Sequence, residues 1–182
     1  MSGLGLALAA WQASNPATLP TSPETRTEVA AEVKVKAGLV FNFAKFGTWP
    51  AMGVDSPLVL CVVGAEPIAT VLADTARGVS IAGHGLEVRR PETTASWRAC
   101  HLLFVGDSAS ATGAEGIRAI RKQPILTVSD GKGFSRSGGV IEFYIQDGRM
   151  RFIINLDALD RAGVRLSSRL LGLAKTIRDG DD

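Results

Sequence analysis

The sequence is poor in the residues that build catalytic and metal centres. It contains only two cysteines and two histidines, and their spacing matches no zinc-binding pattern. It lacks the glycine, lysine and serine or threonine pattern of a phosphate-binding loop, and the glycine spacing of a dinucleotide-binding fold. The aspartates that stand out occupy separate turns: Asp55, Asp107, Asp130 and Asp147. We therefore predict no enzymatic activity, no metal and no cofactor.

A strong excess of charge of one sign is also missing. The 20 basic and 18 acidic residues leave a net charge of +2. No basic block of the kind that grips phosphate backbones is present, so nucleic acid is disfavoured as a partner. A hydrophobic content of 46% with 21% charged residues is typical of a folded protein, and the length fits one domain.

The first 24 residues predict export. Residues 3–13 are apolar, and Ala7-Leu8-Ala9 fits the small-x-small rule of signal-peptide cleavage. The basic segment that opens a signal peptide is missing, so the region is either the end of such a signal or an ordinary apolar tail. Residues 15–24 contain three prolines and predict a flexible leader. We expect a signal-peptide remnant and leader at 1–24 and a folded domain at 25–178.

Helical and strand patterns alternate along the rest of the chain. Apolar residues at helical spacing predict helices, and short apolar runs predict strands that are buried on both faces. In chain order, we predict helix 25–46, strand 58–63, helix 64–76, strands 83–90 and 100–105, helix 112–121, strands 125–128, 140–145 and 150–154, helix 158–162 and a final helix from 167 to 177. This alternation predicts a single-domain α/β sandwich, with a mostly parallel sheet flanked by helices and a C-terminal β-hairpin.

Residues 124–155 form the centre of the predicted fold. Asp147-Gly148 separates two apolar runs and predicts a type I′ hairpin turn, because that turn requires positive φ. The preceding glycine-rich stretch, residues 129–139, carries Lys132, Phe134 and Arg136. Loops between firm strands commonly carry binding groups. We predict that these three residues contact a partner; the alternative is a plain solvated connector.

The two cysteines allow more than one interpretation. Cys61 and Cys100 lie 39 residues apart in predicted strands. They could form a disulfide in an oxidising compartment, or remain two buried thiols, and the residues alone favour neither. Cys100 beside His101 could also form a nucleophilic pair, although a thiol in a buried strand is a poor nucleophile.

Three loops that follow predicted strands give an alternative function. Open α/β sheets bind ligands at the carboxyl ends of their strands, and Gly64, Gly106 and Asp130 occupy such positions. A small-molecule-binding sensor domain would use these loops. After the strand that ends near Val105, three hydroxyl residues are predicted to cap the next helix: Ser108, Ser110 and Thr112.

An ordered set of segments resembles the YfiR-like proteins, which are periplasmic repressors of membrane-bound diguanylate cyclases. The set runs through most of the chain, from about residue 27 to residue 177. Its members are 36–50 with the Trp49-Pro50 ending, 58–64, 100–106, 126–131, 138–141, 151–155 and 167–174. The order of these segments along the chain carries the resemblance.

The resemblance implies a non-enzymatic, exported α/β protein. Its partner would be an inner-membrane diguanylate cyclase or another membrane receptor, which the protein would hold inactive, so limiting cyclic di-GMP. The resemblance also implies a homodimer, possible sequestration by an outer-membrane lipoprotein, and a disulfide between Cys61 and Cys100. A second family disulfide near the hairpin has no counterpart in this sequence.

Overall fold

A computed structural model describes residues 23–50 and 52–181. The predicted leader, residues 1–24, lies outside the described residues except for its last two positions, which begin the first helix. The boundaries predicted for the folded domain, 25–178, stay a prediction.

Helices and strands alternate as predicted. The helices are α1 (Pro23–Phe46), α2 (Glu66–Ala76), α3 (Ser110–Ile120), α4 (Leu156–Ala162) and α5 (Ser168–Leu171), with 3₁₀ turns at Thr94–Ala99 and Asp107–Ala109. The strands are β1 (Gly47–Thr48), β2 (Leu58–Val63), β3 (Ser80–Ile81), β4 (His84–Arg89), β5 (Leu102–Val105), β6 (Leu126–Ser129), β7 (Ile141–Gln146), β8 (Arg149–Asn155), β9 (Arg165–Leu166) and β10 (Lys175–Ile177).

The main sheet has the strand order β10-β8-β7-β6-β5-β2-β4-β3. Its pairings are parallel except at β7–β8 and β3–β4. A mixed α/β fold with a mostly parallel sheet is therefore confirmed. Parallel strands are covered on both faces, which explains why the central strands read as unbroken apolar runs.

Each face of the sheet has its own core. On one face, Phe43 of α1 stacks on Phe143 at 5.9 Å between ring centroids and meets Phe152 edge-on at 5.1 Å. On the other face, Trp97 and Ile117 pack with the residues of β2 and β5 that point that way. The two cores fix α1 and α3 on opposite faces, and so fix the loops between them.

The predicted hairpin is confirmed. Asp147 and Gly148 have φ of 50° and 68°, and Gln146 pairs with Arg149 across the turn. Positive φ at both central positions is the signature of a type I′ turn, whose twist matches that of the strands.

The predicted caps of α4 are also present. The Asn155 Oδ1 accepts a hydrogen bond from the Ala158 N–H at 2.9 Å. Gly163 ends the helix in the left-handed conformation, with φ of 65°.

The predicted final helix is wrong. Helix α5 covers only Ser168–Leu171, and the chain then enters β10, which pairs in parallel with β8. Gly172 is a poor helix former. The residues that follow it can pair with the unpaired backbone N–H and C=O groups at the edge of β8, and they form a strand there. The expected link at 164–166 likewise contains β9, which pairs with β1 next to the end of α1.

Candidate binding site at the carboxyl edge of the sheet

A groove of about 510 Å³ opens where β7 extends past its neighbour. Strand β6 ends at Ser129, which pairs with Glu142, whereas β7 continues to Gln146. The β7–β8 hairpin therefore overhangs the carboxyl edge of the parallel strands. Residues of helix α1 and of the loop 130–136 also line the groove. We call this space the hairpin groove.

Asp130 ties the glycine-rich loop to α1. Its Oδ2 accepts a hydrogen bond from the Lys36 Nζ at 2.5 Å, and its Oδ1 accepts one from the Asp107 N–H at 2.8 Å. The Lys36 Nζ also lies 2.7 Å from the Glu32 carboxylate. Burial alone lowers the pKa of Lys36, but the hydrogen bonds to Asp130 and Glu32 outweigh it and raise the pKa. The Lys36 ammonium is therefore shared between two carboxylates of the protein.

Glu142 organises the glycine-rich loop. Its side chain is buried, and its carboxylate accepts hydrogen bonds from the Gly133 N–H at 2.9 Å, the Ser135 N–H at 2.9 Å and the Ser135 hydroxyl at 2.6 Å. Asn155 holds the same loop from β8, because its Nδ2 donates to the Ser135 carbonyl at 2.8 Å. A charged acceptor strengthens each of these bonds, so the loop has a defined shape.

Free positive charge remains at the hairpin groove. Lys132, Arg136 and Lys175 line it and are exposed. In the described part of the chain, none of the three lies within ion-pair distance of a carboxylate. The lining of the groove contains four basic and three acidic side chains, so it carries a small excess of positive charge.

Phe134 differs from the two basic residues of the loop. Its ring is half-buried, packs against the second core and lies over Gly139, where an added Cβ would fall 2.1 Å from a ring carbon. Phe134, one of the three predicted partner contacts, is therefore partly covered. Beneath it, a cavity of about 100 Å³ is bordered by Ser129, Lys132 and Ile117, among others.

The crevice predicted between the loops after β2 and β5 is closed. An added Cβ at Gly106 would fall 2.4 Å from the Gly64 carbonyl oxygen. The Ser108 hydroxyl donates to that same oxygen at 2.7 Å. Gly64 and Gly106 are thus packing positions that border none of the cavities described here, and of the three loop positions only Asp130 reaches a groove. Ser108 holds this contact, and the N-cap position of α3 is Ala109, which provides no side-chain cap; the predicted caps Ser110 and Thr112 have side chains outside the described part of the structure.

The cysteines are bonded to each other. A disulfide joins Cys61 to Cys100, with 5.8 Å between the Cα atoms, as the resemblance implies. Both residues are buried, at 1% and 4% exposure. The bond leaves no thiol for the proposed nucleophilic pair, so that hypothesis is removed.

His101 has a structural role beside the disulfide. Its Nδ1 accepts a hydrogen bond from the Val59 N–H at 3.0 Å, and its carbonyl accepts one from the Trp49 indole at 2.8 Å. Burial, aided by the charges of His84 and Arg89, lowers the pKa of His101. The neutral ring therefore joins the start of β2 to the start of β5.

Two further classes of feature can be assessed over residues 23–50 and 52–181. No group of three or more His, Cys, Asp or Glu residues is placed to hold a metal ion there. None of the helices in those ranges combines the length and hydropathy that crossing a bilayer requires.

Sequence reasoning missed Glu142 and Asn155. A signal was present for Glu142, since it is an acidic residue inside an apolar strand next to a loop rich in glycine. A buried carboxylate needs donors, and glycine-rich backbone can supply them. Asn155 was expected only as a helix cap, and its second role depends on contacts that are distant in sequence.

Together, these residues define an α/β domain with a disulfide and a groove lined in part by exposed basic side chains. Residues 33–175 match the YfiR/HmsC-like family, and this chain belongs to that family. The family is known for periplasmic regulation.

Two solved structures are similar in fold. One is a conserved domain protein from Vibrio cholerae O1 biovar El Tor, with 11% identity and a TM-score of 0.52. The other is the ABC domain in complex with L-Trp from Streptococcus pneumoniae, with 9% identity and a TM-score of 0.50. Each alignment covers 79% of this chain and 59% of the other, so this chain spans about three fifths of their length. At such identities the likeness concerns the fold alone.

Proposed function

We propose that this chain is a non-enzymatic regulatory protein of the periplasm. It binds the periplasmic part of an inner-membrane signalling enzyme, a diguanylate cyclase, and thereby limits cyclic di-GMP. The observation that supports this most is membership of the YfiR/HmsC-like family over residues 33–175. Inhibition requires that the protein bind the inactive state of the enzyme more tightly than the active one, so that the population shifts.

The partner surface is proposed at Lys132, Phe134 and Arg136. Lys132 and Arg136 are exposed at the hairpin groove, whereas Phe134 borders the neighbouring cavity and is only partly accessible. The hydrogen bonds to Glu142 hold this loop in one conformation, which lowers the entropy lost on binding. A homodimer and an outer-membrane lipoprotein are further proposed partners.

Capture from membranes tests the proposal. The full chain is cross-linked to membranes of its source, and the captured proteins are identified. We expect a membrane-bound diguanylate cyclase, and we expect cyclic di-GMP to rise when the chain is deleted. Recovery of no membrane protein, or an unchanged cyclic di-GMP level, would contradict the proposal.

A charge-reversal pair locates the surface. Lys132→Glu with Arg136→Glu is expected to abolish capture, because it replaces attraction by repulsion. Arg98→Glu with Lys122→Glu changes the net charge equally at exposed positions that do not line the groove, and should leave capture intact. Equal loss in both double variants would place the contact elsewhere.

A second candidate function is a small-molecule sensor. The cavity beneath Phe134, with its apolar wall and its Lys132 and Ser129 rim, favours this reading. The similar pneumococcal domain was crystallised with L-Trp, so a panel of amino acids is a reasonable first screen. A specific ligand must raise the melting temperature, and Ala114→Leu, which adds bulk at the cavity, should remove that rise.

A further inference from the structure

The direction of the β7 backbone leaves hydrogen-bonding groups open to the hairpin groove. The Asn155 N–H donates to the Val140 carbonyl at 2.9 Å, which sets the alternation of the antiparallel ladder. With this register, residues 142, 144 and 146 exchange hydrogen bonds with β8. The N–H and C=O of Ile145 therefore point away from β8, toward the side that β6 occupies only as far as Glu142.

The open edge has room for another strand. No further strand pairs with residues 143–146 on that side in the described part of the chain, and the groove of about 510 Å³ lies against them. Four residues of strand extend roughly 13 Å. The outermost strands are also short, with three residues in β10 and two in β3, so β8 and β4 likewise have unpaired stretches on their outer sides. The open stretch of β7 is distinguished by the groove that lies against it, which Lys132, Arg136 and Lys175 line.

The charges around this edge select an acidic occupant. Lys132, Arg136 and Lys175 line the groove without an ion pair in the described chain. The acids nearby are engaged, Asp130 by Lys36 and Glu142 by the loop. The chain's own residues 1–22 contain no acidic residue, so they do not complement the groove.

The edge also offers one apolar contact. The Ile145 side chain is 59% exposed and pairs across the hairpin with Met150. Alternate side chains of an added strand point to the same face. A segment that alternates acidic and apolar residues would thus satisfy both the backbone and the side chains.

We propose that β7 binds an extended acidic segment of a partner protein as an additional strand at residues 143–146. Backbone hydrogen bonds to Ile145 supply the register, and Lys132, Arg136 and Lys175 receive the carboxylates. This inference rests on the proposed function for the existence of a protein partner, and it specifies how that partner is recognised.

A defined peptide tests the recognition mode without the partner. The probe is acetyl-Glu-Val-Glu-Thr-Glu-Val-Glu-Thr-amide, titrated into the ¹⁵N-labelled full chain, with a version carrying Lys for Glu as control. We expect the acidic peptide to shift the amide signals of residues 143–146 and to slow hydrogen exchange at the Ile145 N–H. The basic peptide should do neither. Absence of binding at millimolar peptide, or binding that leaves these amides unchanged, overturns the proposal.

Substitution of Ile145 separates strand addition from simple charge attraction. Ile145→Pro removes the N–H that faces the groove and leaves the β8-facing bonds of Tyr144 and Gln146, a setting in which edge strands tolerate proline. We expect it to weaken the peptide about five- to tenfold, the cost of one backbone hydrogen bond. Ile145→Thr keeps the N–H and loses only part of the apolar contact, so we expect it to weaken the peptide less than Ile145→Pro does.

Equal affinity of the Pro and Thr variants would overturn the proposal. If Ile145→Pro fails to fold, the exchange rate of the Ile145 N–H in the parent chain decides the question by itself. Membrane capture is scored separately. If the Ile145→Pro variant captures the partner as well as the parent chain does, the proposed function stands and strand addition is excluded. If no partner is captured but the peptide binds at β7, strand addition stands and the proposed function is excluded.

Discussion

At the scale of single residues, Glu142 shows how one buried side chain shapes a surface. Its carboxylate accepts three hydrogen bonds from Gly133 and Ser135, and these fix the loop that presents Lys132 and Arg136. These hydrogen bonds hold the two basic side chains of the loop at the edge of the groove. A buried acid thereby positions basic groups at the surface.

We predict that Glu142→Gln lowers the free energy of unfolding by about 2 kcal/mol, because the amide offers one acceptor oxygen in place of a charged pair. Urea unfolding measures this loss. Glu115→Gln, at an exposed position on α3, should change stability by less than about 0.5 kcal/mol. Similar midpoints for the two variants would show that the loop does not depend on Glu142.

His101 predicts a pH dependence at the same scale. Burial lowers its pKa in the folded state below the ordinary value of 6.5, so the unfolded chain binds more protons between those two pKa values. The stability that the neutral ring contributes is complete above pH 6.5 and is lost as the pH falls toward the folded pKa. Unfolding midpoints at pH 7.5 and 5.5 should show this decline, and His101→Gln should flatten it.

At the scale of elements, residues of the hairpin and of α1 line the groove. Each element contains a glycine, which is favourable in the hairpin turn and unfavourable in the helix. Gly148 has φ of 68° in the turn, whereas Gly38 lies within α1, where an added Cβ meets no atom within 4 Å. The turn requires the left-handed conformation, which glycine adopts without strain. The helix does not require that conformation, so glycine has no advantage at Gly38.

The same substitution should therefore have opposite signs at the two positions. Gly148→Ala is expected to destabilise the protein by about 1–2 kcal/mol, the cost of placing an L side chain in that conformation. Gly38→Ala is expected to stabilise it by about 0.5–1 kcal/mol through higher helix propensity. Thermal unfolding of both variants measures the difference, and two shifts of the same sign would refute the argument.

At the scale of the whole molecule, the disulfide joins β2 to the residue that lies two positions before the neighbouring parallel strand β5. Cys61 and Cys100 close a loop with a sequence separation of 39, which contains α2, β3 and β4. Constraining such a loop stabilises the fold by about 4 kcal/mol in the chain-entropy model. Because both residues are buried, a reductant reaches the bond only after the protein opens.

We predict that Cys61→Ala with Cys100→Ala lowers the free energy of unfolding by about 4 kcal/mol. In the parent chain, dithiothreitol should reduce the bond slowly in buffer and quickly in denaturant, as followed by mass spectrometry after alkylation. Fast reduction in buffer would contradict the buried position, and would instead mark the bond as a redox switch.

The sequence alone determined much of this protein. Helix α1, the buried strands and the Asp147-Gly148 turn follow from apolar periodicity and from local φ preferences, which act over a few residues. Membership of the family could also be read from the order of the motifs. The third dimension was needed for β10, because its three residues become a strand only against the open edge of β8. Only the tertiary structure showed that the loops at Gly64 and Gly106 pack together and that a groove opens beside β7. Both features depend on packing between distant loops and on unequal strand lengths, which no local sequence pattern reveals.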